Sequence, residues 1–401
     1  MKKILGIILA MLVVGKASSQ NLIIFSENEK TLSLNVPATF FFKNNEYKRQ
    51  IAYGYTLGGV RAIPNLEYQP LENLSISAGV NVLRYWGADE YGQYNFISVP
   101  YYCDSNTQKQ LHLKPFFRIN WQINPRLNLI MGNLYIDYYH YLPIALYNRE
   151  FSYSSDGEEG VQLIYTGEYW TNDAWANWQN FNFYNDVDRE SFDVGISGTL
   201  NTSQEKKYIG YADYSFIWHH NGGELDTITT LYLDHWANGH LGLRFRYNNI
   251  CNKQFDLTLS LNYLFSKDMK NSTLPFKKGH AWFPSLEFSF YKGDIMLGYY
   301  DSKDMITFYG TNFFSNLAQR TQNVTYPHNR MLYASVNYNI SLNKRNTIYN
   351  SAYNLAVVGE IFYKLDSENS MGKEDNSLSF GLGLIFYAQP RFRIYKFKNF
   401  N

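Results

Sequence analysis

Apolar and polar residues alternate along most of this chain. Between positions 111 and 123 the odd residues are Leu111, Leu113, Pro115, Phe117, Ile119, Trp121 and Ile123, and the even ones are His112, Lys114, Phe116, Arg118, Asn120 and Gln122. Successive side chains on a strand point to opposite faces, so such a segment has one greasy face and one wet face. The pattern is cleanest over 74–86, where Leu74, Ile76, Ala78, Val80, Val82 and Trp86 oppose Ser75, Ser77, Gly79 and Asn81. Read to the C-terminus, it predicts sixteen strands: 32–42, 51–68 (irregular, interrupted by Pro64), 74–86, 111–123, one from 127, 161–169, 174–184 (poorly alternating), 192–200, 208–219, 239–247, 255–265, 281–291, 295–308, 332–342, 355–365 and 378–386.

The connections alternate in length. Short turns are expected at 70–73, 124–126, 202–206, 248–253 and 292–294, and longer polar segments at 87–109, 140–160, 220–238, 267–279, 310–329 and 366–376. The segment 343–354 breaks the rule, being long where a short turn is due. Even strand number, period-two alternation and loops sorted by side together predict an all-β chain: a transmembrane antiparallel β-barrel with apolar side chains toward lipid, a wet lumen, short periplasmic turns and long extracellular loops.

The first residues stand apart from this pattern. Lys2 and Lys3 precede an apolar run over 4–14, and Ala17 and Ser19 are spaced as small residues before a cleavage site. We expect a signal peptide over 1–19, a barrel over 20–388 and a basic tail over 389–401. The tail carries Arg391, Arg393, Lys396 and Lys398, and is either a periplasmic extension or a continuation of the last strand. No later window is apolar enough for a membrane helix. The mean hydropathy of −0.37 looks soluble, but an average conceals alternation. Tyr (36), Phe (28) and Trp (8) suit strands and interfacial belts. Lys and Arg (36) against Asp and Glu (35) leave no basic excess for a nucleic-acid partner. Cys103 and Cys251, the only cysteines, are expected on opposite sides of the membrane, where they cannot pair.

The wet face would carry Lys114, Arg118, Glu168, Asp193, Asp213, Arg244, Arg246, Asp256, Glu287, Glu360 and Lys364. Either these charges pair and stiffen the wall, or they line a solute path; Arg246 and Asp256 are placed for a cross-strand ion pair. The region from Glu168 through Trp170, Asp173, Trp175 and Trp178 to Glu190 is dense in aromatic and acidic groups, as a glycan-stacking surface or an aromatic belt would be. The segment 140–160 holds Asp156, Glu158 and Glu159, and an inward-folding loop there would make an acidic constriction.

Outer-membrane phospholipases and lipid A deacylases resemble one another in a histidine–any–serine–asparagine segment near a strand end. Here the corresponding residues are Trp218, His219, His220 and Asn221, followed by two glycines. The serine position is His220, so this segment offers no nucleophile for acyl transfer. His219, His220, His235 and His240 match no standard metal spacing and are expected in a flexible loop.

By its alternating strands and loop asymmetry, the mature chain resembles bacterial outer-membrane β-barrels of the porin type. Its Asn- and Tyr-rich composition and Gln20 look similar to exported barrels of Bacteroidetes. The resemblance implies a channel passing small solutes with weak selectivity. A non-conducting docking barrel of an export or uptake complex is the alternative, and a barrel enzyme acting on lipid or glycan is a third reading. On this reading the chain is not an enzyme and needs no cofactor or metal. Its expected partners are outer-membrane lipid, small polar solutes or glycans and further copies of itself in a homo-oligomer, with Trp170 among the solute-path candidates.

Overall fold

A computed structural model describes residues 28–48, 51–87, 94–96, 99–100, 111–136, 139–180, 190–202, 207–222, 234–250, 255–270, 274–290, 292–318, 324–341 and 352–397. The expected signal peptide and both cysteines lie outside them.

The alternating segments form one closed antiparallel sheet. Its sixteen wall strands are β1 (Thr31–Asn35 with Ala38–Glu46), β2 (Tyr55–Ala62 with Asn65–Leu71), β3 (Leu74–Gly87), β4 (His112–Asn124), β5 (Leu127–Asn133), β6 (Glu159–Thr166), β7 (Trp170–Asn180), β8 (Ser191–Asn201), β9 (Tyr208–Asn221), β10 (Asp234–Asn249), β11 (Phe255–Lys270), β12 (Lys278–Phe290), β13 (Gly293–Lys303), β14 (His328–Ser341), β15 (Ala352–Lys364) and β16 (Ser377–Gln389 with Arg391–Lys396). The barrel closes where β16 pairs with β1, Ala388 opposite Ala38 and Arg393 opposite Ser33. The predicted tail is therefore wall: Arg391–Lys396 continues β16.

Three wall strands are interrupted by proline. Pro has no N–H to donate to a ladder, and Pro37, Pro64 and Pro390 break neighbouring strands β1, β2 and β16. Their carbonyls still accept. Ile63 donates to Pro37 at 2.8 Å, Val80 to Pro64 at 3.1 Å and Val36 to Pro390 at 3.0 Å.

Outward positions are apolar and exposed, as in β16 (Leu378, Phe380, Leu382, Leu384) and β10 (Leu241, Leu243, Phe245). No packed protein covers these rows, so hydrocarbon is the partner that hides them. On β9 the outward aromatics run from Tyr208 to Trp218. That spacing is ~33 Å along a strand, or about 25 Å after a 40° tilt, the height of a barrel's apolar band. By barrel habit the long connections face the outside and the short turns the periplasm.

The lumen is the unexpected part. Its outer half is filled by chain. Residues 134–136, 139–158, 304–318 and 324–327 fold inward, joined by 51–54, and bury Ile51, Ile144, Leu146, Phe313, Phe314 and Tyr326 against wall residues Phe283, Tyr300, Tyr333 and Phe362. A second cluster packs Tyr147, Phe151, Phe308 and Tyr309 on Trp175, Ile217 and Trp236. A third joins Tyr153 to Phe41, Leu83 and Tyr85. Together these clusters reach twelve of the sixteen wall strands, so the plug spans the bore. Each buried aromatic side chain contributes roughly 1.5–3 kcal/mol.

Inward-facing polar side chains hold the plug's backbone, which would otherwise carry unsatisfied groups. Arg118 donates to the carbonyls of Asn133 (2.6 Å) and Leu134 (2.9 Å). Asn238 donates to Ile306 and accepts from the Phe308 amide, at 2.7 and 3.1 Å. Asn329 donates to the carbonyls of Phe313 and Ser315. The two main plug segments also meet each other, the Asn148 amide donating to Tyr309 at 2.6 Å.

Candidate functional site: histidine centres inside the barrel

Four histidines with polar partners face the lumen; one of them, His112, pairs with Asp156 of the plug at 3.0 Å. Within the plug, His140 lies between two carboxylates, Glu158 at 2.9 Å from Nε2 and Asp173 at 2.8 Å from Nδ1. It stacks on Trp175 with ring centroids 4.0 Å apart. Burial alone would push its pKa down; the two carboxylates overcome that and raise it to about 10. The cation ties the plug to β7. The nearby Ser197 hydroxyl donates to its backbone carbonyl.

Near the outer end of β9, His219 Nδ1 lies 2.6 Å from Asp193 on β8. The Tyr309 hydroxyl, from the plug, donates to the other oxygen of Asp193 at 2.5 Å. Burial and the adjacent carboxylate both push the Tyr309 phenol well up, so it remains a donor.

One strand-step beneath the plug, three neighbouring strands bring together Ser215 (β9), His240 (β10) and Asn262 (β11). Ser215 and His240 are directly paired in register. Ser215 Oγ lies 3.3 Å from His240 Nδ1, and His240 Nε2 lies 3.0 Å from Asn262 Oδ1. The Asn262 amide nitrogen donates to the Phe283 carbonyl at 3.2 Å. That commits Asn262 Oδ1 to face the imidazole, so Nε2 carries the proton. Nδ1 is then the acceptor, aimed at a hydroxyl. Gly242 makes the approach possible: a Cβ there would fall 2.6 Å from His240 Nε2 and 2.7 Å from Asn262 Oδ1. A serine whose proton can pass to an imidazole held in one tautomer by a third group is the arrangement of an activated nucleophile.

Below this level the lumen is polar and several of its charges are paired. Arg244 grips Asp213 at 2.5 and 2.7 Å. Arg246 meets Asp256 at 2.7 Å. This pair is diagonal, because Arg246 sits opposite Thr258 in register. Glu287 accepts from Ser289, and Glu67 pairs with Arg391 at 2.7 Å.

Several sequence expectations need correction. Glu168 lies in the turn between β6 and β7, exposed, and not in the lumen; a turn residue has no fixed face. Trp170 faces outward, donating to the Tyr214 hydroxyl at 2.9 Å, because position 170 has the parity of the lipid-facing row. Arg118 and Lys364 face inward but hold the plug, Lys364 through Asn329 at 3.0 Å. Lys43 likewise joins Glu150 of the plug and Glu360, each at 2.9 Å.

Loop 140–160 does fold inward, yet forms no acidic ring. Asp156 is paired with His112 (3.0 Å) and Lys114 (3.1 Å), Glu158 with His140 and Tyr147, and Glu159 begins β6 and accepts from Asn133. The aromatic–acidic stretch is a regular strand that divides by parity. Asp173 and Trp175 point into the lumen while Trp178 points out, so they share no stacking face; 181–189 lie outside the described residues. The histidines expected in a flexible loop stand on strands, His219 and His240 inward, His220 and His235 outward.

Sequence reasoning missed the Ser215–His240–Asn262 centre because its members lie on three strands. The detectable signal was equal parity of polar residues at the same depth.

The closed sixteen-strand barrel, its lipid-facing rows and its sorted loops define a porin-like protein of the bacterial outer membrane. Solved barrels similar to it include Acinetobacter baumannii OccAB3 (12% identity, 90% of this chain and 99% of that one, TM-score 0.47), Pseudomonas aeruginosa OccK5 (10%, 92% and 99%, 0.48) and a BenF-like porin from Pseudomonas fluorescens (8%, 91% and 100%, 0.48). These are likenesses of fold. No curated protein matches the sequence. The profile of the Lipid A 3'-O-deacylase-type family matches residues 24–397, almost the whole chain, and the chain belongs to that family. An enzyme family corrects the expectation that the chain is not an enzyme. That expectation rested on seeking a nucleophile within one strand.

Proposed function

We propose that this protein is an outer-membrane acyl-ester hydrolase of the kind its family name describes. It would remove a fatty acyl chain from an outer-leaflet glycolipid such as lipid A. The observation that carries this reading is the Ser215–His240–Asn262 centre. Ser215 Oγ attacks the ester carbonyl while His240 Nδ1 takes its proton. Asn262 holds the imidazole and the resulting imidazolium. The alkoxide of the sugar leaves with the proton that His240 returns, and water, activated by the same imidazole, releases the fatty acid from the serine. The site lies beneath Ile306 and Phe308, so an acyl chain reaches it when the segment 304–318 lifts. The plug is a lid on this reading.

Reconstituted protein should release fatty acid from lipid A. Ser215→Ala should lower the rate by about a thousandfold or more, and His240→Ala by roughly 10²–10⁴. Wild-type rates in Ser215→Ala would remove the assignment.

The paired charges of the inner lumen favour a second reading, passage of small solutes once the plug moves. Asp213, Arg244, Arg246, Asp256 and Glu287 would then line a wet path of mixed sign and weak selectivity. Single-channel current from the wild-type chain, with no fatty-acid release, would favour this reading over the first.

A further inference from the structure

The lipid-facing wall carries a strongly charged patch. At the long-loop end of β11–β14, Lys267, Lys278, His280, Lys303, His328 and Arg330 point outward and are exposed. Their registers place them side by side: Lys267 opposite Lys278, His280 opposite Lys303, and Lys303 opposite His328. Lys267 and Lys278 are like charges directly opposite on a sheet, and such charges repel. One carboxylate, Asp301, faces out among them, opposite Arg330. None of these residues forms an ion pair among the described residues. Arg330 donates only to the Asp366 carbonyl, at 3.4 Å.

The depth of the row identifies what balances it. Directly below are Tyr263 and Trp282, rings 4.9 Å apart, with Trp282 47% exposed. Outward-facing aromatics of this kind mark the membrane interface. Arg330 is level with these rings, and the three lysines lie two to four residues beyond them, ~7–13 Å along a strand, at the level of lipid headgroups. Other parts of the same rim differ: β7–β9 present Trp178, Phe192 and Trp218, with Glu190 3.7 Å from His220.

We propose that the outer faces of β11–β14 bind the phosphate groups of a phosphorylated outer-leaflet glycolipid. Lys267, Lys278, Lys303 and Arg330 would receive the phosphates, and Tyr263 and Trp282 would pack against the sugar–acyl junction. Facing cations become stabilising once an anion lies between them. This inference takes the glycolipid from the hydrolase reading and adds how the headgroup is held on the barrel.

The test uses the full chain carrying Ser215→Ala, so bound lipid is not consumed, in phosphatidylcholine vesicles. Separate vesicle sets contain a minor fraction of diphosphoryl lipid A, dephosphorylated lipid A or phosphatidylglycerol, and the lipid retained on the purified barrel is quantified. Diphosphoryl lipid A should be enriched over the other two. A Lys278→Gln/Lys303→Gln variant should lose the enrichment by about thirtyfold, roughly fivefold per lysine. Undiminished retention by that variant would overturn the proposal, as would equal retention of dephosphorylated lipid A. Equal retention of phosphatidylglycerol would reduce the patch to a general anion-binding surface and overturn it too. Fatty-acid release by the wild-type chain is read separately. Selective retention without release would sink the hydrolase reading alone, and release without selective retention would sink this inference alone.

Discussion

The two halves of the lumen are built by opposite means. The outer half is a dry protein interior, with Phe314, Tyr300, Tyr326 and Phe362 fully buried among irregular loops. The inner half is a lattice of paired charges, Arg244 with Asp213 and Arg246 with Asp256, carried entirely by regular strands. The Ser215–His240–Asn262 centre sits at the boundary. The plug is held by apolar area together with a few buried ion pairs to the wall, Lys43–Glu150, His112–Asp156 and His140–Asp173, whereas the inner wall is fixed residue by residue by pairs between neighbouring strands. The contrast places mobility above the centre and rigidity below it.

The sharpest way to break the comparison is to remove the plug. Replacing both 135–157 and 305–326 with short glycine linkers should convert a silent barrel into one that conducts steadily across a planar bilayer, because the wall has its own complete ladder and the ends to be joined lie side by side, Leu134 with Glu158 and Asp304 with Pro327. A barrel that stays silent would mean the inner half is closed as well. Next in size is Phe314→Ala. It should destabilise the plug by about 3–5 kcal/mol, seen as rapid proteolysis in 304–327 while the barrel keeps its heat-resistant migration on gels. In the inner half, Arg246→Met should cost about 3 kcal/mol by stranding Asp256, and adding Asp256→Leu should recover most of it. Thermal melting of the three proteins checks this, and a double variant no better than the single would show that the pair does more than neutralise itself.

The inner half was legible in the sequence and the outer half was not, for a physical reason. Parity alone places Asp213, Arg244 and Asp256 in the lumen, because a strand's faces repeat every two residues. The same count put most strands within about five residues of their observed ends, but stopped β16 at Phe386 where it runs on to Lys396. It failed where the chain leaves the period. The strand expected over 295–308 ends at Lys303, and Met305, Ile306 and Phe308 turn inward to become plug. Glu168 and the carboxylates of 140–160 were judged by composition in segments where only tertiary contact decides direction. Ser215 and Asn262 looked like ordinary wet-face residues, since their chemistry comes from neighbours about 25–50 positions away.

The smallest expected effect concerns the tie between the halves' outer wall and the plug. His140 is fully buried, and its pKa is raised from 6.5 to about 10 by Glu158 and Asp173 against the opposing cost of burial. A raised folded-state value means the folded protein holds the proton more tightly. The stabilisation is therefore complete below about pH 6.5 and is lost as pH rises toward 10. Amide hydrogen exchange in 139–158, referred to the wall strands at each pH, should accelerate over that window. His140→Gln should flatten the dependence and leave β11–β14 unchanged. Parallel pH profiles for the two proteins would show that the cation between Glu158 and Asp173 does not hold the plug, leaving apolar area as its main anchor.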